Sequence, residues 1–208
     1  MARKTKEDAN ETRESILNAS IEVFFKKGFA NSSLEEIAEG AGVTRGAVYW
    51  HFKNKLDIFQ ALHDQLYKPF SEMILQGFEK NKDCPLKELK EICTKLLSDL
   101  ETDKRKNRIL TIFFLKCDYS GEMAEVLESQ NQRKIESIKL FSEYFERAKK
   151  KDHIPAHADS QLLTLSLICY ITGIAYEYLR NPKIISLKNK ASSLMESFFF
   201  GIVDKKCK

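Results

Sequence analysis

Residues 33–56 read Ser-Leu-Glu-Glu-Ile-Ala-Glu-Gly-Ala-Gly-Val-Thr-Arg-Gly-Ala-Val-Tyr-Trp-His-Phe-Lys-Asn-Lys-Leu. Ser33 followed by Glu36 has the form of a capping box, so a short helix is expected from Leu34. Gly40-Ala41-Gly42 ends it. Thr44 suits the cap of a second short helix reaching about Trp50 or Phe52. Asn54 suits the cap of a long third one, with Asp57 in its first turn favoured by the helix dipole. Two short helices that cross closely need a small residue at the crossing, and Ala38 supplies it. The turn between them needs a residue at ease with positive φ, and Gly42 supplies that. Ile37, Val43 and Val48 have the spacing of apolar anchors. The stretch therefore reads as a helix-turn-helix.

The second short helix carries the chemistry. Arg45 stands at its start, where a recognition helix meets base edges, and arginine can pair bidentately with guanine O6 and N7. Gly46 and Ala47 keep the front of the helix thin, and Ala47 can touch a thymine methyl. Tyr49, Trp50 and His51 are consecutive and cannot all be core. Lys53 and Lys55 follow, and no acid occurs from Ala41 to Lys55. Ser33, Thr44 and the two capped helix starts offer hydroxyls and amides to phosphate. Phe52 is expected to pack against the preceding helix; for Trp50 both packing and DNA contact stay open. Glu35, Glu36 and Glu39 read as solvated or capping.

The rest of the chain bounds this reading. With 208 residues it can bury a proper core. A net charge of only +4 means that a DNA site must come from local placement of charge. The five cysteines include no CxxC spacing, which favours a reducing cytoplasm and small buried hydrophobes, with a redox-sensing thiol as the alternative. His153 and His157 are separated by Pro155, so they form no helical metal pair. No metal, cofactor, nucleophile–base pair or phosphate loop is expected, which argues against an enzyme. The uncharged run from Gln161 to Tyr176 is shorter than the roughly 20 residues that span a bilayer, so no membrane segment is expected. Arg3, Lys4 and Lys6 form either a basic arm on DNA or a solvated tail.

Helical periodicity continues to the end, giving an all-α chain of about nine helices. The first is expected over Asn10–Lys27. The fourth runs to about Lys80 with a kink, or a junction of two helices, near Pro69. Cys84-Pro85 opens the fifth. Asp103 to Arg108 reads as a charged joint before a short apolar helix from Ile109 to Cys117. Long helices are then expected over Glu122–Lys151, Asp159 or Ser160 to Arg180, and Ser186 to about Lys205. Apolar residues nearly encircle the eighth, so it should be buried on all sides, in part by a second subunit. On the seventh, Gln130 and Asn131 lie on an inward stripe and need partners, which a ligand, water or another helix can supply. Phe113, Phe114, Phe141, Phe145, Cys169, Tyr170 and Tyr176 either line an apolar cavity or are core. Glu177 either meets a cationic ligand or pairs with a lysine.

Thr44 to Lys55 resembles the signature of the TetR family of transcriptional repressors. Residues 1–6, 11–17 and 114–123 are similar to its AcrR-like branch, which represses multidrug efflux pumps. The resemblance implies an all-helical homodimer, with three N-terminal helices binding DNA (residues 1–54) and a ligand-binding, dimerising body (55–208). It implies DNA contacts from Ser33, Thr44, Arg45, Tyr49, His51 and Lys55, with Thr44, His51 and Lys55 mainly on phosphate. Position 35 departs from the pattern: where relatives read a base there the residue is basic, and here it is glutamate, so that role is not carried over. A two-fold dimer implies a palindromic operator, with recognition helices about 34 Å apart or a multiple of that. The effector would be a small hydrophobic or cationic molecule, and the protein cytoplasmic, on the nucleoid when bound. A regulator of lipid or envelope metabolism, or a helical binding protein that has lost DNA binding, are the alternatives.

Overall fold

A computed structural model describes residues 6–80 and 83–201. Arg3 and Lys4 of the expected basic arm, and Cys207, lie outside the described residues. The elements are α1 (Lys6–Lys27), α2 (Leu34–Gly40), α3 (Arg45–His51), α4 (Lys55–Lys80), α5 (Pro85–Thr102), α6 (Lys104–Leu115), α7 (Ala124–Lys150), α8 (Ser160–Arg180) and α9 (Leu187–Phe200). A short 3-10 turn, Gly121–Met123, precedes α7, and no strand occurs among the described residues.

Local chemistry sets most of the boundaries. The Ser33 hydroxyl accepts from the Glu36 amide and the Glu36 carboxylate accepts from the Ser33 amide, closing the capping box at α2. Gly42 holds φ at +65° and returns the chain, with the Val43 amide donating to the Ala38 carbonyl at 3.0 Å. Asn54 Oδ1 accepts from the Asp57 amide at 2.9 Å, and the Asp57 carboxylate accepts from the Lys53 amide at 3.0 Å. These reciprocal caps start α4, which then runs as one helix through Pro69. Pro85 occupies the first turn of α5, where its missing N–H costs nothing.

Two boundaries differ from expectation. Helix α1 begins at Lys6 rather than near Asn10, with Glu7 and Asp8 in its dipole-favoured first turn. The charged run Lys104–Arg108 is not a joint but the start of α6. Asp103 is the reason: its carboxylate accepts from the Lys106 amide at 3.0 Å and nucleates the helix.

Packing groups the chain into two units. One holds the residues up to Tyr67 together with Arg108–Glu128; the other holds Lys68–Asn107 and the residues from Ser129. The expected functional division at residue 54 thus differs from the packing division. The cause is a shared core: Ile16, Leu17 and Phe24 of α1, Ile37 of α2 and Val48 of α3 join Ile58, Phe59 and Leu62 of α4 and Ile109, Ile112 and Phe113 of α6. Phe59 is its hub, with ring centroids 5.3 Å from Phe29 and 4.7 Å from Phe113.

In the second unit, α5 lies along α9, with α8 beside it. Gly77 allows close approach there, since a Cβ on it would stand 2.8 Å from the Glu88 carboxylate, 2.9 Å from Ile92 and 3.0 Å from the Tyr144 hydroxyl. That hydroxyl donates to the Ile74 carbonyl at 2.7 Å, and Arg147 donates to the Phe78 carbonyl at 2.7 Å, tying α7 to α4. Within a single chain α8 is buried on one side only, which leaves the other side for the second subunit that the sequence reading invoked. Thr164, Leu167, Ala175, Tyr178 and Leu179 face inward, while Leu162 is 61% exposed and Leu165, Cys169, Gly173 and Tyr176 share its outward side. By length and composition alone this 21-residue helix is also apolar enough to cross a membrane. The uncharged run is short, but the helix containing it is not.

Candidate nucleic-acid interface

Helix α3 is anchored from behind and bare in front. Val48 is fully buried, and Phe52, 2% exposed, turns inward with the Arg13 guanidinium 5.0 Å from its ring. On the opposite side Thr44, Arg45 and Gly46 are exposed, Tyr49 is 47% exposed and Trp50 73%. Phe52 is core, as expected, and Trp50, for which packing and DNA contact were both open, is on the surface. An exposed tryptophan beside an exposed tyrosine is a stacking and van der Waals surface. Gly46 is likewise not required by packing, because a Cβ there would meet only the Thr44 hydroxyl at 3.8 Å.

The polar groups differ in how far they are committed. The Thr44 hydroxyl accepts from the Ala47 amide at 3.2 Å, so its own proton can point outward. The Ser33 hydroxyl is used in both directions, accepting from the Glu36 amide and donating to the Glu36 carboxylate at 3.1 Å. Glu36 in turn pairs with Lys27, and these bonds, that to Lys27 first, hold its carboxyl below the ordinary range. His51 is half-buried, edge-on to Trp50 at 4.5 Å.

Arg45 is held on two sides. One terminal nitrogen pairs with the Glu35 carboxylate; the other donates to the Tyr49 hydroxyl at 3.1 Å. The hydrogen bond to Tyr49, then the charge of Glu35, raise its pKa, so the guanidinium is a fixed cation. The sequence reading of Glu35 as solvated or capping missed this pair. The available signal was one acid at the start of α2 and one arginine at the start of α3, in a motif whose two helices must cross.

Lys55 also differs from expectation. Its ammonium donates to the carbonyls of Phe29 at 2.7 Å and Ser32 at 2.8 Å, approaches that of Ala30 at 3.4 Å, and sits 4.5 Å from the Phe29 ring centre. Three main-chain oxygens thus stand within hydrogen-bond reach of this ammonium. Its placement fits a clamp on the α1–α2 turn.

The ligand candidates do not converge as the DNA candidates do. Phe113 belongs to the first unit's core, near Phe59 and His63, and Phe114 points to the surface. Asn131 is exposed. Tyr170 donates to the Leu194 carbonyl at 3.0 Å and packs on Phe198. Cys169, Tyr176 and Glu177 lie on the outward side of α8, where Glu177 pairs with Arg180 at 3.2 Å rather than with a lysine. Two candidates remain interior on α7: Phe141, packed on Phe70, and Gln130, whose Nε2 is shut from solvent with no partner among the described residues. An open groove along α5, lined by Lys90, Glu91, Lys95 and Asp99, contains none of them. No His, Cys, Asp or Glu group able to hold a metal occurs among the described residues.

A capped helix pair around a positive-φ glycine, with one bare face of arginine, glycine and aromatics, defines a helix-turn-helix DNA-binding regulator. The chain belongs to the TetR family of bacterial regulatory proteins: that family's model matches residues 16–62, and the MAATS-type transcriptional repressor C-terminal region matches residues 84–201. It is a transcriptional repressor, not an enzyme. It is 35% identical over 191 residues to the HTH-type transcriptional regulator AcrR of Shigella flexneri, covering 92% of this chain and 89% of that one. Among solved structures it is similar to NalD, the secondary repressor of the MexAB-OprM multidrug efflux pump in Pseudomonas aeruginosa. There the TM-score is 0.83 and the identity 33%, over 96% of this chain and 100% of NalD. A complex of SmeT with triclosan gives a TM-score of 0.84 at 26% identity, over 93% and 92% of the two chains; SmeT is the repressor of the SmeDEF multidrug efflux pump of Stenotrophomonas maltophilia. Repressors of this family bind DNA operators and small-molecule effectors.

Proposed function

We propose that this repressor controls multidrug efflux genes, binds a palindromic operator as a homodimer, and is released by a small hydrophobic or cationic effector. The observation that carries the DNA role is the outward face of α3, where Thr44, Arg45, Gly46, Tyr49 and Trp50 are exposed over a buried Val48. Arg45 reads a base, Ala47, Tyr49 and Trp50 supply apolar contact, and Thr44 and His51 meet phosphate, with Ser33 contributing through the capped start of α2. Residues 1–54 act as the DNA-binding domain and residues 55–208 as the effector-binding and dimerising domain. Its place of action is the cytoplasm, on the nucleoid when bound.

The outward side of α8 supports the dimer. Leu162, Leu165, Cys169, Gly173 and Tyr176 recur along one side, and a second copy placed there would cover them. Efflux control is supported by the NalD and SmeT relatives. The Gln130 Nε2, shut from solvent with no partner among the described residues, supports an effector that offers it a hydrogen-bond acceptor.

The test is a mobility-shift titration on DNA flanking the coding region, repeated with cationic dyes, bile salts and fatty acids. Specific binding that weakens steeply with salt and is released by dyes supports this reading. Release by fatty acids alone points to lipid or envelope regulation. No binding at low salt points to a helical protein whose DNA role has lapsed.

A further inference from the structure

Glu35 is out of place on a surface that approaches a polyanion. It lies in the first turn of α2, more than half exposed, and it is not needed for the cap, which Ser33 and Glu36 complete between them. From Ala41 to Lys55 the reading segment contains no other acid. Its one described ion-pair partner is Arg45, the group placed to read a base. We propose that Glu35 is a specificity-determining residue: by holding the Arg45 guanidinium against Tyr49, it presents the arginine to a guanine edge and denies it to phosphate. The inference rests on the base-reading role given to Arg45 above.

A guanidinium has five N–H groups in a planar fork. Glu35 and Tyr49 take up one terminal nitrogen each, and the ring centre of Tyr49 lies 5.4 Å from the guanidinium carbon. Tethered in this way, the group can offer its remaining N–H donors to O6 and N7 of a guanine without leaving its partners. A phosphate makes a different demand. To reach the backbone the arginine must leave Glu35, and the bare carboxylate is then left facing phosphates of the same sign. Phosphate contacts supply essentially all of non-specific affinity, so Glu35 should weaken non-specific binding more than specific binding.

The test uses the full-length protein and a duplex that the unaltered protein selects from a randomised pool, beside a scrambled duplex of equal length. Glu35→Gln keeps the size of the side chain and Glu35→Ala removes it. Because Glu35 is exposed and outside the capping box, both variants should keep the unaltered melting temperature. Affinity for the scrambled duplex is expected to rise about tenfold, and affinity for the selected duplex by about twofold or less, so discrimination falls about fivefold. The lost discrimination should fall on one guanine position per half-site. In an Arg45→Ala background, Glu35→Ala should leave discrimination unchanged, because the coupling has been removed. Equal gains on both duplexes would overturn the inference and leave Glu35 as bulk charge; a loss on both duplexes would overturn it as well. Selection of no duplex at all would overturn the base-reading role of Arg45 too, which distinguishes that failure from this one.

Discussion

Lys55, the first residue of α4, is bonded to Phe29 twice over, through a 2.7 Å hydrogen bond to its carbonyl and through its ring 4.5 Å away. One side chain thereby ties the long fourth helix to the turn that leads into the DNA reader. Charge-assisted bonds of this kind are among the stronger ones in a protein. Lys55→Met should therefore lower unfolding stability by about 1–3 kcal/mol in a urea titration. Unchanged stability with weaker binding of every duplex and a shallower salt dependence would instead make Lys55 a phosphate ligand.

Arg45→Ala tests the base contact. Preference should relax at one position per half-site, at about 1–3 kcal/mol, with little change elsewhere. The measurement is a binding titration over single-base variants of the selected duplex. A uniform loss across all variants would show that Arg45 holds phosphate.

Trp50 and Phe52 lie close together in the sequence and should behave in opposite ways. Trp50→Ala should change stability by no more than about 0.5 kcal/mol, since the side chain is 73% exposed. It should nevertheless weaken operator binding. Phe52→Ala removes a ring from the core and should cost about 3–5 kcal/mol in stability. Thermal melts of the two variants, paired with mobility shifts, separate the roles.

The outward side of α8 can be read by chemistry at its own cysteine. Cys169 is exposed in a single chain, while Cys93 is buried and its thiol is pushed far up by burial. The Cys117 thiol is pushed up to about 11, chiefly by burial. Thiolate is the reactive form, so Cys169 should be alkylated first in a monomer. If a second copy covers α8, alkylation of Cys169 should slow as protein concentration rises, and Leu165→Glu should restore it. Sedimentation should then report a monomer for Leu165→Glu. Rapid alkylation at every concentration would place the interface elsewhere.

Glu36 gives a pH dependence of known sign. Its carboxyl is held below the ordinary value of 4.5, by Lys27 first and then by Ser33. A depressed carboxylate stabilises the fold above its unfolded-state pKa, and that contribution disappears as pH falls through the folded value. Glu36→Gln should therefore melt lower than the unaltered protein at neutral pH, and the gap should close on the acid side of 4.5. A gap that persisted in acid would assign the effect to the shape of the capping box alone.

What the sequence disclosed was mostly what is decided within a few residues. The Ser33–Glu36 box, the Gly42 turn and the Thr44 and Asn54 caps each depend on near neighbours, and all are present in the structure. The cap at Asp103 is just as local, but it was hidden because the charged run after it resembles a solvated loop. The Glu35–Arg45 pair depends on how α2 meets α3, and the carbonyl clamp on Lys55 on how α4 meets the α1–α2 turn, which periodicity does not report. The ligand candidates were hard to read for another reason. A phenylalanine at helical spacing looks the same whether it fills a core, as Phe113 does, or lines a cavity.

The core shared by α1, α2, α3, the first turns of α4 and part of α6 has a consequence for induction. With Phe59 packed against both Phe29 and Phe113, the reader and the start of α4 share one continuous core and should move together. An effector can then relocate each reader only as a whole. Binding of one protomer to an isolated half-site should therefore be blind to the effector, and only the full palindrome should feel it. In the dimer proposed above, induction would then be a matter of span rather than of grip.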